Sequence, residues 1–286
     1  MVITVIAAFM QNVRSLLQKR LTSQLSVNGA ASVRFVYALP VAWLYALWLW
    51  QGEPRGFNLE FSVYVAIGAM AQIVATACLL QSFSTGNFAV GTAFSKTEAA
   101  QAAMVGLLVL NDSVSVAIVC GILISLIGVV MLSGNLRLQD IARPKPAMWW
   151  GLAAGAGFAL SDIGFRGASL ALYEGDFLQR AGLTVMVSVT LQSILMSLYL
   201  IAREPGQLAA TCRAWRVGIW VGAIGALASV GWFTAMTLKS AAVVRAVGQI
   251  ELLFTVMTSV WLLREKLKLR ELVGMFLVVF GILLLV

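Results

Sequence analysis

Residues 95–101, SKTEAAQ, decide how this chain folds, because they place charged side chains in the middle of an apolar segment. The segment 88–110 reads FAVGTAFSKTEAAQAAMVGLLVL and is long enough to cross the hydrocarbon core of a bilayer as one helix. A charge at that depth is costly, so Lys96 and Glu98 are expected to face the protein interior. The stretch therefore predicts a membrane helix with a polar inner face.

The composition extends this prediction to the whole chain. Of 286 residues, 60% are hydrophobic and only 11% are charged, and the mean hydropathy is +0.92. A soluble domain carries about a quarter charged residues. The net charge of +8 fits basic loops on one membrane face better than nucleic-acid binding, so the lipid bilayer is an expected partner and nucleic acid is not.

Apolar periodicity and length predict an all-α membrane protein with ten transmembrane helices. A polar connector, 135–147, is expected to separate a first five-helix repeat, 1–134, from a second, 148–286. The predicted spans are 2–21, 29–50, 61–83, 88–110, 115–133, 148–172, 177–201, 215–237, 241–263 and 271–286. Trp43, Trp48 and Trp50 near one helix end, and Trp149 and Trp150 near another, are typical of interfacial anchors.

An internal repeat links the two halves. A shift of 153 residues lays 89–133 over 242–286 without gaps and carries Glu98 onto Glu251. Two glycine pairs, Gly121 with Gly274 and Gly128 with Gly281, share the same spacing of seven, which predicts close helix packing on one face. Because five spans is an odd number, joined copies must have opposite orientations in the membrane. The sequence predicts two inverted repeats, an arrangement that places a transporter's site at mid-depth.

The repeated carboxylates are the main candidates for function. Glu98 shares a helical stripe with small residues at spacings of three and four: Gly91, Ser95, Ala102 and Gly106. The matching stripe around Glu251 contains Val244, Gly248, Thr255 and Ser259. Each carboxylate can bind a proton that it exchanges for substrate, or it can form a structural ion pair. The available cations are Arg14, Arg34, Lys96, Lys239 and Arg245.

Two other spans are polar for membrane helices. The first carries Gln11, Asn12 and Arg14, and the sixth carries Asp162 and Arg166. Asp162 and Arg166 are four residues apart and can pair along one helix, or they can line a cavity opposite the first span. Trp232 in the eighth span is a further candidate for the cavity wall, although aromatic residues in such helices more often contact lipid or the core.

No enzyme signature accompanies these residues. The chain contains no histidine, no P-loop and no GxSxG, and its three cysteines are far apart in sequence. We therefore expect no catalysis, no cofactor and no bound metal. The expected partners are a small-molecule substrate and protons.

The whole pattern resembles the drug/metabolite transporter superfamily, specifically the EamA-domain permeases. Arg34 and Phe35 open the second span as they do in that family. The segments VLNDSVSVAIVCGILISLIGVVML (109–132) and LLREKLKLRELVGMFLVVFGILLL (262–285) look like its acidic turn and glycine-spaced helix. The resemblance implies a carrier in the bacterial inner membrane, often an exporter of amino acids, metabolites or drugs, with a cavity lined by spans 1, 3, 4, 6, 8 and 9.

Two features depart from this resemblance. The family commonly has proline near the positions of Glu98 and Glu251, so here we expect both helices to run unbroken. Basic residues in the odd-numbered loops predict that both termini are outside, whereas the resemblance implies cytoplasmic termini. The expected function is alternating-access export of a small metabolite, with proton coupling through Glu98 and Glu251. A lipid or lipid-linked sugar translocase and a channel remain alternatives.

Overall fold

A computed structural model describes residues 1–21, 24–49, 57–85, 94–113, 115–132, 146–254 and 269–284, and these residues contain helices and no strand. The helices are α1 (Val2–Leu21), α2 (Val27–Val36), α3 (Leu39–Leu49), α4 (Leu59–Thr85), α5 (Glu98–Leu110), α6 (Val116–Leu132), α7 (Pro146–Ala171), α8 (Phe177–Arg203), α9 (Gln207–Arg213), α10 (Trp215–Leu238), α11 (Ala241–Gly248) and α12 (Leu269–Leu283). The all-α prediction is confirmed. The connector 135–147 lies outside the described residues, except for the first two residues of α7.

Four of these helical stretches are long and apolar enough to cross a membrane: 28–49, 59–79, 177–203 and 215–238. Shorter apolar helices occupy 2–14, 98–110, 116–131 and 272–281. Large apolar side chains such as Leu108, Trp48 and Phe276 point outward, whereas alanines dominate the buried positions. Small residues inside and large apolar residues outside are typical of helices that pack in lipid, where close backbone approach drives association.

The second predicted span consists of two helices, α2 and α3. Pro40 has no backbone N–H with which to continue the hydrogen-bond ladder. The chain therefore tightens at the junction, where Ala38 donates to the Phe35 carbonyl at 3.1 Å, three residues back. Pro40 then occupies the first turn of α3, where its missing donor costs least.

The fourth and ninth spans are also interrupted, and the prediction that they run unbroken is wrong. Residues 94–95 are helical, 96–97 form a turn, and α5 begins at Glu98. In the ninth span α11 ends at Gly248, 249–250 form a turn, and a helical turn restarts at Glu251. The repeat shift carries one interruption onto the other. The chain makes both without proline, through three-residue hydrogen bonds such as those from Thr97 to Phe94 and from Gln249 to Ala246.

The chain forms two compact units. The first contains Met1 with 71–163 and 239–286, and the second contains 2–70 and 164–238, so each unit draws helices from both halves of the sequence. In the first unit, the buried core is formed largely by alanines of α5, α7 and α11 together with Ile122 and Ile163. The second unit has apolar cores around Phe61 and Leu183, and around Leu21 and Val33.

Helices α6 and α12 cross in the first unit through the predicted glycines. A Cβ at Gly128 would lie 2.7 Å from the Gly274 carbonyl oxygen, and a Cβ at Gly281 would lie 2.7 Å from the Gly121 carbonyl oxygen. The later residue of one helix contacts the earlier residue of the other, so the two helices are antiparallel. The repeat pairs Gly128 with Gly281 and Gly121 with Gly274, so exchanging the members of each pair converts one contact into the other. That is the pattern of a local two-fold axis. The predicted packing role of these glycines is confirmed.

In the second unit, α10 is the element on which other helices dock. Gly231 meets Ala7 of α1, and Gly218 and Gly222 meet the ring and backbone of Tyr37 at the α2–α3 junction. The Tyr37 hydroxyl donates to the carbonyls of Thr211 and Cys212 at 3.1 and 3.0 Å. These contacts fix the interrupted second span against α9 and the start of α10.

Candidate functional site

The two helix interruptions place both candidate carboxylates at the start of a helical segment. Glu98 is the first residue of α5, and Glu251 is the first residue of the turn 251–254. At the second interruption the N–H groups of Leu252, Leu253 and Phe254 bond to the carbonyls of Gln249 and Ile250, so the turn itself satisfies them.

The stripe predicted around each carboxylate faces the interior. On the fourth span Ser95, Glu98, Ala102 and Gly106 are buried. On the ninth span Val244 and Gly248 are buried and Glu251 is half-buried. Gly91, Thr255 and Ser259 lie outside the described residues. The interior position of the stripes is thus confirmed where the structure describes them.

Two ion pairs surround these stripes in the first unit. Lys96 Nζ donates to Glu251 Oε2 at 3.5 Å, across the fourth and ninth spans. Arg245 donates through Nε and Nη2 to both oxygens of Asp162, at 2.5 and 2.6 Å. The second pair is a charge-assisted fork between α11 and α7, and the Asp162 side chain is only 1% exposed. Buried bidentate geometry of this kind holds two helices in a fixed register.

Glu98 completes the cluster as a third carboxylate. Its charge interacts with those of Lys96, Arg245 and Asp162, and the residue is only 7% exposed. Among the described residues, no hydrogen bond or ion pair joins Glu98 to a neighbour. The charge cluster, defined as Lys96, Glu98, Asp162, Arg245 and Glu251, thus contains three acidic and two basic side chains. One carboxylate is in excess.

Hydrogen bonds hold the first interruption in place. Thr97 Oγ1 donates to the Phe94 carbonyl at 2.6 Å and accepts from Gln101 Nε2 at 2.8 Å. Gly155 of α7 brings its backbone against this turn: a Cβ there would lie 3.0 Å from the Ser95 carbonyl oxygen and 3.1 Å from Thr97 Oγ1. The turn that carries Lys96 and Glu98 is therefore fixed from both sides.

The other predicted site residues lie in the second unit, mostly beside α10. Arg14 is buried, and its Cδ would meet a Cβ at Gly225 at 3.1 Å. Arg166 Nη1 donates to the Met236 carbonyl at 2.5 Å. Asn12 and Trp232 are buried and Gln11 is half-buried. Phe165 stacks on Phe233 with ring centroids 4.5 Å apart, which fixes α7 against α10 next to Arg166.

The structure thus shows ion pairs between helices, which spacing along one helix did not predict. Asp162 takes its bidentate bonds from Arg245, whereas spacing offered Arg166 on the same helix. Lys96 pairs with Glu251 on another helix. Sequence reasoning also missed Gln249, which lies in the second interruption and is 1% exposed. The signal was present, because the repeat shift lays the charged Lys96 over the uncharged Gln249.

The described residues contain no group of histidine, cysteine, aspartate and glutamate side chains suited to a metal ion. The three cysteines are free thiols, with Cys120 and Cys212 exposed and Cys78 half-buried.

Apolar helices that bury alanine and expose leucine, together with a charge cluster at paired helix interruptions, define an integral, multi-pass membrane protein. The sequence matches the model of the EamA-like transporter family over residues 1–134 and 145–286. The chain belongs to that family of transporters.

Comparisons with curated proteins and with solved structures gave different results. Curated proteins give no match to this sequence. A solved structure described as "Crystal structure of protein" is similar in fold, with a TM-score of 0.72 over 99% of this chain and 95% of that one. The two sequences are 14% identical, so this likeness concerns the fold alone.

Proposed function

We propose that this protein is a secondary active transporter that exports a small metabolite, an amino acid or a drug-like compound, across the bacterial inner membrane. The observation that carries the proposal is the excess carboxylate of the charge cluster. A buried carboxylate without a matching cation is stable when it binds a proton or a cationic group. Exchange between these two occupants couples substrate movement to a proton gradient.

The proposed architecture is ten membrane helices in two inverted five-helix repeats, 1–134 and 148–286, joined by the connector 135–147. The antiparallel crossing of α6 and α12 supports it, because Gly128 on Gly274 and Gly281 on Gly121 are equivalent contacts under exchange of the repeats. The matching interruptions at 96–97 and 249–250 support it as well. Interrupted helices are a common way for transporters to place polar groups at mid-depth.

Each charged residue receives a role in this proposal. Glu98 and Glu251 bind the proton or the cationic part of the substrate. In the same unit, Lys96 and Arg245 balance those charges or hold a substrate carboxylate, and Asp162 pairs with Arg245. The second unit contributes its own proposed substrate contacts: Gln11, Asn12, Arg14, Arg166 and Trp232. A site with charges of both signs suits a zwitterion, in which an ammonium and a carboxylate travel together.

The test is transport by purified protein in proteoliposomes with an imposed pH gradient. Glu98→Gln and Glu251→Gln keep the side-chain shape but remove the titratable group. Proton-driven uptake or counterflow of an amino-acid mixture should fall at least about tenfold in one or both variants. Glu60→Gln is the matched control, because Glu60 is an exposed carboxylate near the start of α4. Full pH-dependent flux in both cluster variants would contradict the coupling role, and non-saturating flux would indicate a channel.

A further inference from the structure

The two helix interruptions lie at equivalent positions of the repeat but carry different side chains. The shift that carries Glu98 onto Glu251 also carries Lys96 onto Gln249. The Lys96 ammonium reaches Glu251 on the other repeat. Under the two-fold relation of the repeats, Gln249 is placed toward Glu98 as Lys96 is placed toward Glu251. The fourth and ninth spans therefore create two related carboxylate positions, and only one of them has a lysine.

The position without lysine contains a buried amide that has no hydrogen-bond partner among the described residues. Gln249 is 1% exposed, and neither its Nε2 nor its Oε1 has a hydrogen-bond partner among the described residues. Glu98, also buried, has no hydrogen bond or ion pair to a described residue. Buried polar atoms without partners are rare in folded proteins and destabilise them. Both polar atoms of the Gln249 amide are buried without a partner, and the two-fold relation of the repeats puts this amide beside the buried Glu98, which points to a ligand site.

The related position shows what chemistry would fill this site. At Glu251 the protein's own lysine supplies a primary ammonium, which donates hydrogen bonds and balances the carboxylate. At Glu98 the equivalent residue is neutral and one side-chain atom shorter than lysine, so both a positive charge and part of the side-chain length are missing. We propose that Glu98 and Gln249 bind the primary ammonium group of a ligand, which takes the place that Lys96 occupies in the other repeat.

Each atom of the proposed site has a defined partner. The ammonium donates one hydrogen bond to the Glu98 carboxylate and one to Gln249 Oε1, and its third N–H remains for a further acceptor. Gln249 Nε2 remains free to donate to an acceptor on the same ligand. A quaternary ammonium carries the same charge but has no N–H donor, so it satisfies Glu98 only electrostatically and leaves Gln249 unsatisfied. The site is therefore specific for primary amines over quaternary ones.

The ammonium site rests on the proposed transport function only for its biological role. Binding of an amine to it can be measured without transport. Full-length purified protein is titrated with n-butylammonium, and binding is measured by calorimetry and by the shift in apparent melting temperature. Butyltrimethylammonium at equal ionic strength is the control ligand. We expect the primary amine to bind at least about tenfold more tightly, the difference expected for charge-assisted hydrogen bonds.

Two exchanges of residues between the repeats sharpen this test. Gln249→Lys supplies an internal ammonium to Glu98, so it should abolish n-butylammonium binding and raise the apparent melting temperature. Lys96→Gln leaves Glu98 and Gln249 in place, so it should keep n-butylammonium binding and is the matched control. Unchanged binding in folded Gln249→Lys protein, or equal affinity for the quaternary amine, would overturn the proposal.

Binding and transport can fail separately. Binding of n-butylammonium with no flux of any amine in proteoliposomes would leave the ammonium site in place and contradict the transporter proposal. Proton-coupled flux in a protein that binds no primary amine would support the transporter and overturn the ammonium site.

Discussion

The interruption at 96–97 and the interruption at 249–250 are the two most instructive regions to compare. Each ends one helical segment and begins another with a glutamate, and the repeat shift superposes them without a gap. The first is held by Thr97, whose hydroxyl bonds to Phe94 and Gln101. At the equivalent place the second has Ile250, which has no hydroxyl. The backbone is repeated, whereas the side chains that stabilise it are not.

The distribution of cations shows the same difference. The fourth span carries Lys96 where the ninth carries Gln249, and the ninth carries Arg245 where the fourth carries Thr92, a residue outside the described part. Each helix thus has one cation, at a different turn. As a result Glu251 and Asp162 each form an ion pair, whereas Glu98 interacts with the charges of Lys96 and Arg245 without forming an ion pair to a described residue. Two equivalent carboxylates therefore have different chemical surroundings.

The largest effect on stability is expected from breaking the Arg245–Asp162 ion pair, because the fourth span has no cation at the position equivalent to Arg245. Asp162→Asn leaves the Arg245 guanidinium buried without its bidentate partner. Removing one member of a buried ion pair destabilises proteins by about 3–5 kcal/mol. Thermal unfolding of the purified protein in detergent should show the loss as a lower apparent melting temperature.

A double variant serves as the control for that experiment. Asp162→Asn combined with Arg245→Gln removes both charges and should recover much of the lost stability, because neither buried charge is then left alone. If Asp162→Asn melts like the exposed-carboxylate variant Glu60→Gln, the fork between α7 and α11 does not stabilise the protein as argued.

The helical fold could largely be predicted from the sequence, because each helix that crosses a bilayer needs a long apolar stretch with helical spacing. The glycine crossing could be predicted too, since Gly121, Gly128, Gly274 and Gly281 repeat at one spacing and have no side chain to pack elsewhere. The helix interruptions could not be predicted, because they arise from hydrogen bonds of the chain rather than from proline. The partner of Asp162 was missed for a related reason: Arg245 lies on another helix, and spacing along one helix carries no information about that.

A smaller effect on stability is expected when methionine is placed at each of the two equivalent positions, 96 and 249. Its sign should differ between the two interruptions. Lys96→Met removes the ammonium from the half-buried Glu251, and we expect a loss of about 2 kcal/mol, below the usual range for buried pairs because the atoms are 3.5 Å apart. Gln249→Met keeps a similar volume and removes two unsatisfied amide atoms, so it should be neutral or stabilising by about 1 kcal/mol.

Apparent melting temperatures of the two methionine variants, measured side by side without added ligand, provide this check. Methionine at each position gives the same final side chain, so differences in helix propensity largely cancel. Equal losses at 96 and 249 would show that the two positions are energetically alike, and the chemical asymmetry argued from the ion pairs would then be wrong.

The last and smallest effect tests the symmetric part of the comparison. Gly128→Ala and Gly281→Ala each place a Cβ 2.7 Å from a carbonyl oxygen of the facing helix, and backbone atoms there cannot move aside as a side chain can. Overpacking of this kind costs about 1–3 kcal/mol, and we expect the lower part of that range because alanine favours helix over glycine by about 1 kcal/mol. Since the contacts are equivalent under exchange of the repeats, the two variants should lose the same stability within about 0.5 kcal/mol. Ile127→Leu, on the exposed face of α6, is the control and should change little. A clear inequality between the two alanine variants would mean that the halves differ in their packing as well as in their charges, and the two-fold argument that places Gln249 toward Glu98 would lose its basis.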